Sequence, residues 1–197
     1  MMTDSPTART ARYDLLLAGS LTATGGGVVS TCSLVRDAEL VIVVDPGMAE
    51  RQSDILDPLR ALRVKPGDVT DVILSHHHPD HTLNAALFPA ARVHDHWAIY
   101  HGSRWDDVDA EGRELSPAVR LIRTPGHTDA DISTVVGTPD GVLVCTHLWW
   151  TDSIPDEDPV ATDPAALHAS RARVLAFADV VVPGHGAPFR PSSATPR

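Results

Sequence analysis

Lysine is almost absent from this chain. Lys65 stands alone in 197 residues, and the basic side chains number 16 against 26 acidic ones. A formal charge of −10 argues against a nucleic-acid partner, because backbone phosphates are held by clustered Lys and Arg. Cysteine is as scarce. Cys32 and Cys145 are too few for a disulfide framework, which makes a reducing cytoplasm the expected compartment. No apolar run approaches the roughly 20 residues of a membrane span. Residues 1–12 are polar and read as a disordered lead rather than a signal peptide. The apolar share of 43% is ordinary for a globular protein, so residues 13–192 are expected to form one domain with a full core.

What the chain does have is short apolar runs of strand length. Residues 13–18, 28–35, 40–44, 71–74, 92–94, 119–123, 132–136, 142–145 and 180–182 read as strands. Residues 49–64 carry Ile55, Leu56, Leu59 and Leu62 at helical spacing before Pro66-Gly67, and residues 82–87 read as a short helix. Asp163-Pro164 supplies an N-cap and a first-turn proline for a third helix. Residues 102–117 and 151–164 are polar and read as inserted loops, where specificity commonly resides. Gly25-Gly26-Gly27 reads as a hairpin tip, since no lysine-bearing phosphate-loop pattern follows it. Strand blocks separated by helices give a mixed α and β protein and no more.

The densest chemistry is Ser75-His76-His77-His78-Pro79-Asp80-His81, directly after a buried strand. A strand end that delivers four imidazoles and a carboxylate within six residues concentrates the ligands that zinc and other first-row metals take. Thr124-Pro125-Gly126-His127-Thr128 and Pro183-Gly184-His185-Gly186 add two more histidines at strand ends.

These blocks, in this order, resemble the metal motif of the metallo-β-lactamase superfamily, and the resemblance extends over about residues 13–190. It is most like the small single-domain metallo-β-lactamase-domain-containing proteins. The resemblance implies an α+β fold, the αββα four-layer sandwich. It implies a first metal on His76, His78 and His127 and a second on Asp80, His81 and His185. Asp45, in Val43-Val44-Asp45-Pro46-Gly47, would stand behind a ligand histidine and fix its tautomer. Asp80, an acceptor when ionised, would orient the attacking water as the catalytic residue. The expected cofactor is zinc, one or two ions, with iron and manganese left open. His77 is expected to point away from its neighbouring ligands.

One position departs from the family pattern. Where a bridging Asp usually follows a Gly, this chain has Cys145-Thr146-His147. A carboxylate reaches two metals with two oxygens, whereas a neutral imidazole offers one lone pair. His147 is therefore expected to serve a single metal and to leave the second site weaker or empty. Trp149, Trp150 and Trp105 are the candidates for pocket walls, with at least one of the Trp149-Trp150 pair expected in the cleft. The favoured reading is a metal-dependent hydrolase of a small ester, thioester, lactone or amide. A nuclease or phosphodiesterase and a non-catalytic metal-binding homologue are the alternatives. Arginines at the cleft would favour phosphate substrates and apolar walls acyl ones. No membrane partner is expected, and a homodimer is left open.

Overall fold

The structure is a computed structural model that describes residues 4–22, 26–152 and 156–197. Its strands are β1 (Arg12–Leu17), β2 (Ser20–Leu21), β3 (Val28–Val29), β4 (Cys32–Asp37), β5 (Leu40–Val44), β6 (Asp71–Ile73), β7 (Arg92–His94), β8 (Ala98–His101), β9 (Arg104–Asp107), β10 (Glu114–Ser116), β11 (Val119–Arg123), β12 (Ile132–Thr138), β13 (Gly141–Cys145) and β14 (Val180–Val182). Its helices are α1 (Ser53–Ala61), α2 (Pro79–Thr82) and α3 (Pro164–Leu175). Among the described residues, one sheet has the order β1-β4-β5-β6-β7-β8-β9, a second β10-β11-β12-β13-β14, and β2-β3 form a separate ribbon.

Alternation along the strands builds four layers. Val35, Ile42, Val44, Ile73, Leu121, Ile132, Leu143, Cys145 and Val182 pack between the two sheets. Their neighbours point the other way. Leu34, Val43 and Val72 meet Ile55 and Leu59 of α1 on one outer face. Ile122, Val135, Val142, Val144 and Val181 meet Leu167 and Val174 of α3 on the other. Each fully buried Leu or Ile contributes on the order of 1.5–3 kcal/mol. This is the α+β, αββα arrangement that the resemblance implies. Cys145 belongs to the inter-sheet core, where burial pushes its thiol up to about 12. At the start of α3 the Asp163 side chain accepts from Ala166 N at 3.0 Å, with Pro164 in the first turn. No described helix is long and apolar enough to cross a membrane.

Strand direction gathers the motifs at one rim. β5 and β6 run parallel. β11 runs with β13, because each is antiparallel to β12, and β14 is parallel to β13. The C-terminal ends of β5, β6, β11, β13 and β14 therefore lead into Asp45, His76, Thr124–His127, His147 and His185. Two backbone bonds tie the sheets together there: Ile132 N to Ser75 O at 2.8 Å and Thr31 N to Gly184 O at 2.7 Å.

Four expectations need correction. The run 28–35 is broken at Ser30-Thr31, where the Thr31 hydroxyl donates to Gly186 O at 2.9 Å and accepts Gly186 N at 3.0 Å. The short helix begins at Pro79 rather than residue 82, so Asp80 and His81 lie in its first turn. Residues 102–117 are not all loop, for they contain β9 and β10. Nor are residues 4–11 a loose lead. Asp4 pairs with Arg173 at 2.6 Å, Thr10 donates to Asp37 at 2.7 Å, and Ala11 is small enough to enter the inter-sheet core. Residues 1–3, and Gly25 of the glycine turn, lie outside the described residues.

Candidate metal centre

Three histidine nitrogens meet first. His76 Nε2 lies 2.9 Å and His127 Nε2 3.1 Å from His78 Nδ1. Beside them, His81 Nε2 is 3.3 Å and His185 Nε2 3.7 Å from Asp80 Oδ2. His147 closes the group from the end of β13, its Nε2 3.1 Å from His185 Nε2. The ligand atoms of His76, His78 and His127 lie within 4.8 Å of one another, as do those of Asp80, His81 and His185, and those of His76, His81 and His147.

The outer nitrogens are held by oxygen. His81 Nδ1 meets Asp45 Oδ2 at 3.0 Å, His127 Nδ1 meets Asp158 Oδ2 at 2.7 Å, and His185 Nδ1 meets Val29 O at 3.0 Å. His76 Nδ1 lies 3.0 Å from Ser75 Oγ. A ring nitrogen facing a carboxylate or carbonyl carries the proton, which leaves the lone pair on the inward Nε2. His81, His127 and His185 thus aim lone pairs at one centre, where His81 Nε2 is buried without a hydrogen-bond partner among the described residues. That donor set fits a divalent cation of the zinc type.

Burial and mutual repulsion push the imidazoles of His76 and His147 well down. Burial would also lower His81, but Asp45 and Asp80 outweigh it and raise it to about 9. Burial would raise Asp80, but His81 outweighs it and brings the carboxyl to about 2. The positive charge favoured at His81 marks a spot where a cation replaces a proton.

Local backbone explains how these side chains arrive. Asp45 sits at φ 51°, a left-handed position that Asp tolerates better than most residues, and its Oδ1 accepts Ser75 N at 2.7 Å. One carboxylate thereby holds both His81 and the start of the histidine loop. Gly184 makes room for His147, since a Cβ there would collide with the His147 ring. His147 Nδ1, on the outer side of its ring, is buried without a hydrogen-bond partner among the described residues, as is the inward Nε2 of His81. His77 turns away as expected, to Asp95 Oδ2 at 3.1 Å and edge-on to Trp97.

The pocket above the centre, about 200 Å³, is lined by His78, Asp80, His127, His147 and His185 together with Leu21, Val28, Trp150 and Val160. Trp150 is the tryptophan of the pair that faces it. Trp149 is not a pocket residue: it is fully buried, donates from Nε1 to Pro196 O at 2.9 Å and packs with Phe189. Trp105 is not one either. It lies 60% exposed on edge strand β9, against Tyr100. A larger groove of about 510 Å³ lies elsewhere, lined by residues such as Arg12, Tyr13, Arg36 and Arg190, and holds no converging ligand set among the described residues.

Asp158 is a member of the candidate centre that sequence reasoning missed. It lies in the polar segment 151–164, with Asp152, Asp156 and Glu157 beside it, and nothing in the local pattern singles it out.

Comparison with known proteins agrees with this geometry. The metallo-beta-lactamase superfamily profile matches residues 25–185. Metallo-beta-lactamase domain-containing protein 1 of Homo sapiens is 43% identical over 160 residues, covering 76% of this chain and 59% of that protein. Hydroxyacylglutathione hydrolase of Aeromonas hydrophila is 32% identical over 155 residues, covering 74% of this chain and 56% of its own length. The chain thus spans less than two thirds of either relative. Among solved structures, a metallo-β-lactamase-like protein of Thermotoga maritima superposes with a TM-score of 0.74 at 19% identity, covering 93% of this chain and all of the other.

Proposed function

The chain belongs to the metallo-β-lactamase superfamily, and from that premise we propose that it is a metal-dependent hydrolase of a small substrate with an ester, thioester, lactone or amide bond. The observation that carries this reading is the composition of the pocket. Leu21, Val28, Trp150 and Val160 form its walls beside the ligand cluster, and no Lys or Arg lines it among the described residues. The arginines that a phosphate substrate would need are engaged elsewhere. Arg171 holds Leu148 O at 2.8 Å, Arg173 pairs with Asp4 and Glu111, and Arg123 faces Asp109 at 3.6 Å. That distribution favours acyl substrates over a nuclease or phosphodiesterase. Hydrolysis of a hydroxyacylglutathione by a relative, as its name states, is in keeping with acyl chemistry.

In this proposal His76, His78 and His127 hold one metal, and Asp80, His81, His185 and His147 hold a second. Zinc suits the nitrogen-rich set best, with iron or manganese as alternatives. When bound, the metal supplies Lewis acidity, which makes water nucleophilic near neutral pH and polarises a carbonyl. Asp80 accepts the proton of the attacking water, being ionised throughout the neutral range. Asp45 and Asp158 keep His81 and His127 in the tautomer that presents Nε2. Trp150 and Val160 exclude water from one side and seat the acyl group. Two free, buried cysteines support a reducing, cytoplasmic setting.

Metal-stripped and zinc-reloaded protein should be assayed on matched panels of acyl and phosphate esters. Hydrolysis of acyl substrates that depends on zinc is the expected result. Activity confined to phosphodiesters would replace this reading with the nuclease one. No activity on either panel, with zinc bound, would favour the non-catalytic homologue that His147 raises.

A further inference from the structure

Three donors converge on one buried carboxylate beside the centre. Asp158 Oδ2 accepts from His127 Nδ1 at 2.7 Å and from Trp150 Nε1 at 3.1 Å, while Oδ1 accepts Val160 N at 3.0 Å. Its side chain is 1% exposed. His127 is a candidate ligand, and Trp150 and Val160 are pocket wall. The flanking backbone is clamped to the same place. Arg171, fully buried on α3, donates to Leu148 O at 2.8 Å and to Asp156 O at 2.7 Å. Downstream, Thr162 N and Asp163 N bond to His127 O and Gly126 O, both at 3.0 Å.

We infer that Asp158 is a positioning residue that couples metal capture at His127 to the shape of the substrate pocket. The inference rests on the hydrolase reading and deepens it. The same oxygen that orients the His127 ring also holds the Trp150 indole, so neither can shift without changing the other's hydrogen bond. Removing the carboxylate would leave the buried His127 N–H and the half-buried Trp150 N–H without this acceptor. Coupling of this kind is reciprocal: a metal that fixes His127 firms the acyl wall, and an acyl ligand that fixes Trp150 tightens metal binding by the same factor. Asp158 therefore sets specificity as well as affinity, through the two rings and the Val160 backbone that it holds.

The test is a Zn²⁺ titration of metal-stripped wild type, Asp158→Ala, Asp158→Asn and Trp150→Phe, followed by calorimetry and by fluorescence. The difference between wild-type and Trp150→Phe emission isolates Trp150. In wild type, Trp150 emission should shift as Zn²⁺ fills the tight site. In Asp158→Ala, affinity should fall about 10–100-fold, the range for lost outer partners of ligand histidines, and the shift should disappear. Asp158→Asn keeps the shape and one acceptor oxygen without the charge, so it should fall between. Trp150→Phe, which removes one donor from the shared oxygen, should shift Zn²⁺ affinity by less than Asp158→Ala does. Wild-type affinity in Asp158→Ala would overturn the coupling, and so would weakened binding with the emission shift intact. Should Asp158→Ala lose its cooperative melt, Asp158→Asn decides by the same two readouts. Failure of the wild type to bind Zn²⁺ would instead overturn the hydrolase reading beneath.

Discussion

The two halves of the centre are built differently. The half formed by His76, His78 and His127 has no anion among its candidate ligands, yet two of its rings are fixed from behind, by Ser75 and Asp158. The half formed by Asp80, His81, His185 and His147 contains the one carboxylate of the set. It also contains the one ring, His147, whose outer nitrogen has no hydrogen-bond partner among the described residues. A ring held at Nδ1 has its lone pair committed inward. His147 is free to place its proton on Nε2 and donate to His185 instead, 3.1 Å away. Ligand count alone would rank the second half stronger. Tautomer control and the missing bridging carboxylate rank it weaker.

The largest effect should come from breaking the first half. A His76→Ala, His78→Ala double variant should carry well below one equivalent of metal by elemental analysis and lose turnover altogether. Full metal content would show that the second half, not the first, is the tight site. A smaller effect is expected from Asp80, which belongs to the second half but works on the proton. Asp80→Ala should keep a cooperative melt and lose at least ~10²-fold in turnover, and wild-type rates would remove it from the mechanism. Smaller again, Asp45→Ala should weaken metal binding ~10–100-fold. Its carboxylate holds His81 and Ser75 N together, so both halves should loosen. A loss confined to one of them would show that the histidine loop does not depend on Asp45.

The convergence of the candidate ligands was largely legible in the sequence because they follow strand ends in compact blocks. His76, His78, Asp80 and His81 fall within six residues, and His127 and His185 sit in short glycine-bearing turns. The strands of the core were legible for a related reason, since their apolar runs are buried on both sides. Edge strand β9 was not, because Arg104, Trp105, Asp106 and Asp107 are all exposed and carry no alternation to read. The Trp149-Trp150 pair shows another limit. The two lie in the bend after β13, beyond any strand whose alternation could say which of them faces the pocket. Asp158 was illegible because its partner His127 is 31 residues away. The bond exists through the packing of a loop on α3, which no local pattern records.

Calorimetric titration of zinc into metal-stripped wild type and His147→Asp tests the inequality of the two halves most directly. The wild type should show one tight site and one weaker or absent, and His147→Asp should gain occupancy in the second by restoring an anionic ligand with two oxygens. Two equally tight sites in the wild type, with no gain in His147→Asp, would contradict it.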